Sequence, residues 1–219
     1  MSAHPATVEG QRQRVVLAAT VVLGAVVTAW ALRIEPGDPL FYWGTLAMAL
    51  VWLGGAALAG SVRASILGEG GGRAVRQGLA LGGLLLGLFL FGAFVIAGIP
   101  VLLRPVEGLL AHAAAGSLPL VFLVTAVNGL AEEIFFRGAL FEVVRRHAVL
   151  VTTGIYAAVT VVGGVPLLVL AGLLLGLATG RQREVTGGIV APVVTHLVWS
   201  LGMLLLLPPT LDLAAGLWG

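Results

Sequence analysis

Seven apolar stretches lie at 15–32, 40–62, 78–103, 118–144, 149–165, 166–179 and 187–207, set apart by short polar segments except where the fifth and sixth abut. A helix needs roughly 20 such residues to cross a hydrocarbon core of about 30 Å. The fifth and sixth stretches together hold 31 residues, about 46 Å as one helix, which overshoots that core. Gly163, Gly164 and Pro166 supply the break that folds them into a hairpin. The pattern therefore predicts an all-α, polytopic transmembrane helical bundle of about seven spans.

The connecting segments orient the bundle, because basic residues are retained on the cytoplasmic side during insertion. Arg12, Arg14, Arg63, Arg73, Arg76, Arg145, Arg146, Arg181 and Arg183 fall on one side, and only Arg33 and Arg104 on the other. This places the N-terminus in the cytoplasm and the C-terminus outside. It also supports the hairpin, since Arg145 and Arg146 share a side with Arg181 and Arg183 only if the chain between them crosses twice. The 68–72 segment reads as a glycine-rich cytoplasmic loop, and 104–116 as an interfacial helix or short external loop. Ala29, Trp30 and Ala31 would pass for a signal-cleavage site, but the run they end is long enough to be a span. No internal repeat supports a transporter built from inverted halves.

Composition agrees with the pattern: 59% of the residues are apolar and 10% charged, and the mean hydropathy is +1.07. The lipid bilayer is the expected surrounding, and a handful of crossings consumes residues 1–219 as a single membrane domain. All 12 basic residues are Arg, scattered in small groups rather than gathered into a patch, so no nucleic-acid partner is expected. The absence of cysteine excludes disulfides, thiolate nucleophiles and Cys-based metal sites.

Asn128, Glu132, Glu133 and Arg137 interrupt the fourth stretch, and His196 and Ser200 the seventh. A charged group at mid-membrane costs about 2.5–3.5 kcal/mol on insertion scales, so these need an internal or hydrated environment. On a helix Asn128 and Glu132 share a face, as do Glu133 and Arg137, whereas the adjacent glutamates diverge by about 100°. Glu133 can thus pair with Arg137 while Glu132 faces a cavity as an available base. Glu132 and Glu133 lie 13 and 12 residues from Arg145, His196 lies 13 from Arg183, and Thr160 lies 14 from Arg146. At about 1.5 Å per residue all four come to one level, about 18–21 Å deep.

The run Asn128-Gly-Leu-Ala-Glu132-Glu133-Ile-Phe-Phe-Arg137-Gly138 resembles the Glu-Glu-x-x-x-Arg motif of the CAAX-type prenyl endopeptidases and their bacterial relatives, the CPBP or Abi intramembrane proteases. The run from Thr186 through Pro192 and His196 to Ser200 is similar to that family's final catalytic span, and the likeness covers about 117–207. The resemblance implies an intramembrane endopeptidase of the bacterial plasma membrane with a membrane-associated peptide or protein substrate. In it Glu132, with a histidine, activates water, His196 stabilises the developing oxyanion together with the residue at 200, and Glu133 and Arg137 order the site. Two positions depart from the pattern. The middle motif, Phe-x-x-x-His, corresponds to Tyr156-x-x-x-Thr160, and the last motif ends in Ser200 where Asn or Asp is usual. Ser can still donate a hydrogen bond, but Thr cannot serve as a base near neutral pH.

Each residue also has a plainer reading. A Glu/Arg pair in a membrane helix can be structural alone, but two glutamates beside one arginine leave a charge over, which is either protonated or functional. His196 alone would be a polar helix contact, and Ser200, Thr160, Gly172 and Gly176 alone would be packing residues. His-Glu-x-x-His does not occur, which removes the usual zinc helix. Glu132, Glu133 and His196 suit a divalent metal such as zinc, although Arg137 competes for the same carboxylates, so no cofactor is assigned. Thr160 supports an alternative from a different class: a catalytically impaired relative acting as a membrane binding or immunity-type interaction protein.

Overall fold

The computed structural model describes residues 5–60, 71–144 and 146–218. His4, Arg63, Arg145 and the 68–70 part of the expected loop lie outside the described residues. Among the described residues the chain is helical without strands: α1 (Pro5–Ala31), α2 (Leu40–Leu58), α3 (Gly71–Ile96), α4 (Pro100–Ala115), α5 (Leu118–Val143), α6 (Ala148–Val161), α7 (Pro166–Thr186) and α8 (Val190–Trp218). Within α5, Ile134–Leu140 forms a π-helical segment.

Local chemistry sets the boundaries. Pro100 and Pro166 open α4 and α7 at a position where the missing N–H is not needed, each after an extended residue, Ile99 or Val165. Gly187, in the left-handed region at φ +69°, closes α7 by donating its N–H to the Arg183 carbonyl at 3.1 Å. The third apolar stretch is not one helix to residue 103: α3 stops at Ile96 and Pro100 starts a separate helix. The 104–116 segment is accordingly helical, as part of α4. The last helix runs past residue 207 through Pro208 and Pro209, where Thr210 donates to the Leu206 carbonyl at 2.7 Å.

Among the described residues five helices are long and apolar enough to cross a membrane: Glu9–Ala31, Leu40–Leu58, Gly71–Ile96, Leu118–Val143 and Val190–Leu217. Ala148–Val161 is a shorter apolar helix, and the expected break falls between it and α7 at Val162–Val165. Helix α5 packs between α2 and α8, α3 lies along α8, and α6 pairs with α7. Trp52 of α2 meets Phe135 and Phe136 of the π segment with ring centroids 5.0 and 5.1 Å apart. Phe135 through Leu140 are all buried, as expected where partners surround a helix on every side.

The expected small-residue face brings α6 and α7 together. A Cβ on Gly172 would meet Thr160 at 3.2 Å, one on Gly176 would meet Thr153 at 2.9 Å, and one on Gly180 would meet Val149 at 3.1 Å. A Cβ on Gly176 would also lie 3.4 Å from the Arg137 guanidinium. Gly176→Val is therefore expected to destabilise the protein by about 1–3 kcal/mol through overpacking, read as a lower melting temperature. Gly83→Val, where a Cβ has nothing within 4 Å, is the matched control and should leave the melting temperature in place.

Candidate active site

Glu132 and Glu133 end the α-helical part of α5 and point in different directions, as their spacing requires. Glu133 is fully buried. Its Oε1 accepts from Arg137 Nη1 at 3.2 Å and lies 2.8 Å from His196 Nδ1. The Glu132 side chain keeps 16% of its surface exposed. Its Oε2 accepts from the Tyr156 hydroxyl at 2.7 Å and stands 3.8 Å from His196 Nε2. The imidazole of α8 thus spans the two carboxylates of α5, one on each ring nitrogen. Gly129, one turn before Glu133, lies beside that ring: a Cβ there would be in van der Waals contact with His196 Cδ2 at 3.5 Å.

Arg137 is fully buried and held on several sides. Besides Glu133, it donates from Nη2 to the Gly176 carbonyl at 3.3 Å, and its guanidinium lies 5.0 Å from the Tyr156 ring and 5.8 Å from the Phe136 ring. Stacking on aromatic faces suits the weakly hydrated, planar guanidinium. The backbone of the π segment is itself braced from α7, because Arg183 Nε donates to the Arg137 carbonyl at 2.9 Å while Arg183 Nη2 pairs with Glu142 at 3.5 Å. The sequence suggested only a topological role for Arg183, and Gly129 and the Tyr156 hydroxyl also carried no assigned contact.

Asn128 and Thr160 spend their hydrogen bonds away from this centre. Asn128 donates to the Thr45 and Val124 carbonyls at 2.9 Å each, which ties α5 to α2. Thr160 turns its hydroxyl back onto the Ala157 carbonyl at 2.8 Å and packs on Gly172, so the shared depth expected for it does not bring it to the carboxylates. Ser200, one turn beyond His196, has a buried Oγ with no hydrogen-bond partner in the protein. It lines a cavity of about 570 Å³ whose other walls include Phe89, Leu110, Ala171, Trp199 and Met203. His112, given no chemistry from sequence, is buried and holds the Ile34 carbonyl at 2.8 Å through Nε2.

No group of three His, Asp or Glu side chains among the described residues has a metal-ligand arrangement. The Oε1 of Glu133 is engaged by Arg137 and His196, and its buried Oε2 has no hydrogen-bond partner in the protein.

Neither a curated protein nor a solved structure matches the chain. A family comparison does find a match, and it spans α5 through the first half of α8, the helices that carry the Glu132, Glu133, Arg137 and His196 cluster. Residues 114–202 match the family described as Type II CAAX prenyl endopeptidase Rce1-like, so this part of the chain is similar to that family.

Proposed function

We propose that the protein is an intramembrane endopeptidase in which Glu132 is the general base that activates water. The observation that carries this reading is the single imidazole bridging two inequivalent carboxylates, one sealed and one reachable. In the proposed reaction Glu132 takes a proton from water as the water oxygen bonds to the scissile carbonyl carbon. The oxyanion that forms is stabilised by His196 and by the Ser200 hydroxyl. The proton held by Glu132 passes to the amide nitrogen, the C–N bond breaks, and an acid and an amine fragment leave. Glu133 and Arg137 neutralise each other and keep the His196 ring oriented. No step requires a metal.

The apolar cavity beside Ser200 supports a membrane-associated peptide as substrate, since it would shelter apolar residues next to the reacting bond. The test is incubation of purified protein in detergent or proteoliposomes with peptides spanning a bilayer, with fragments read by mass spectrometry. Discrete cleavage by the wild type is the expected result.

A second reading is favoured by one observation, the Thr160 hydroxyl turned away from Glu132. Under it the chain is an impaired relative that binds a membrane partner through the same centre. An inactive wild type that gains cleavage with Thr160→His would establish that reading, and strong wild-type cleavage would remove it.

We further propose one membrane domain with seven crossings, an N-terminus in the cytoplasm and a catalytic core at 117–207. Because the chain has no cysteine, single reporters test the orientation cleanly. An impermeant maleimide applied outside cells is expected to label Glu35→Cys and spare Gln11→Cys, and the reverse pattern would invert the topology.

A further inference from the structure

The resemblance drawn from the sequence pairs Tyr156 and Thr160 with a phenylalanine and a histidine, so this chain loses an imidazole and gains a phenol hydroxyl four residues away. The two changes have different outcomes in space. The Thr160 hydroxyl is spent on its own helix, at the Ala157 carbonyl. The Tyr156 hydroxyl crosses from α6 to α5 and donates to Glu132 Oε2 at 2.7 Å.

The phenol is held firmly enough to aim what it bonds. Tyr156 is 7% exposed. Its ring meets Phe136 edge-on at 4.9 Å, carries the Arg137 guanidinium at 5.0 Å and faces the His196 ring at 6.5 Å. Glu132, by contrast, is the partly exposed carboxylate, on a side chain with three rotatable bonds. Oε2 is the oxygen that takes the phenol and faces His196 Nε2, which leaves Oε1 for a water.

We infer that Tyr156 is a positioning residue that fixes the carboxylate of Glu132 through this hydrogen bond, in place of the histidine absent at 160. The inference rests on the protease reading above. It also explains how the chain can depart from both halves of the middle motif at once: the hydroxyl that the departure adds restrains the same base.

Tyr156→Phe tests it, because the ring and its contacts with Phe136 and Arg137 are retained while only the hydroxyl is lost. Misaiming a reacting group costs up to about 100-fold. The expected result is a kcat lower by about 10- to 100-fold, with KM and the melting temperature unchanged. A readout independent of turnover is the infrared carboxyl band of Glu132, assigned by its loss in Glu132→Gln, which should shift in Tyr156→Phe. An unmoved band, a kcat within about twofold of wild type, or a raised KM at unchanged kcat would overturn the positioning role. A wild type that is active through Glu132 but indifferent to Tyr156→Phe removes the tyrosine alone. A wild type that cleaves nothing removes the protease reading and the positioning role together.

Discussion

Glu132→Gln is expected to lower kcat for peptide cleavage by about 100- to 10,000-fold, the range that a general base contributes. The substitution is nearly isosteric, and the amide oxygen of Gln can still accept from the Tyr156 hydroxyl that now bonds Oε2 at 2.7 Å. Packing around Phe136, Arg137 and Tyr156 is therefore kept, and the melting temperature should stay where it is. What Gln cannot do is take a proton from water near neutral pH. Substrate binding does not depend on that proton, so KM should change little and the loss should fall on kcat. Steady-state cleavage of a membrane peptide by matched detergent preparations checks this. A variant as active as the wild type would assign the chemistry elsewhere.

Arg137→Ala should damage folding as well as chemistry. Arg137 and Glu133 are both fully buried, with Nη1 and Oε1 3.2 Å apart. Removing one partner of such a pair leaves an uncompensated charge in a poorly solvated place, which costs about 3–5 kcal/mol. The Gly176 carbonyl loses its donor in the same step. Glu133→Gln/Arg137→Met removes both charges and should recover part of the loss, since the penalty comes from the orphaned partner and not from the missing pair. Reversible unfolding of the purified variants in detergent measures both. A loss below about 1 kcal/mol, the level of a solvated pair, would mean that the pair is not sealed.

The fold was largely legible because its signals are local and periodic. The break between α6 and α7 needed only Gly163, Gly164 and Pro166, and the different directions of Glu132 and Glu133 followed from helical rotation alone. The meeting of His196 with both glutamates was foreshadowed by equal depth, but depth fixes a level and not an azimuth. Thr160 shares that level and still turns away, because a helix position also needs the right rotation about its axis. The π segment left no trace in the pattern, since six of its seven residues are buried and carry no period to read. Arg183 looked like a topology marker because its positive charge is equally explained by the positive-inside rule, whereas its bond to the Arg137 carbonyl depends on how α7 packs against α5. The end of α3 at Ile96 was missed because the apolar run continues to residue 103 while Gly98 and Pro100 end the helix.

The central claim is that water, activated by Glu132, is the nucleophile, and isotope transfer tests it most directly. A single turnover of a membrane peptide in heavy-oxygen water is expected to place one heavy atom in the new carboxyl terminus, with about 100- to 10,000-fold less labelled fragment from Glu132→Gln in the same time. Fragments without the label, or an equal yield of labelled fragment from the two proteins, would contradict the account.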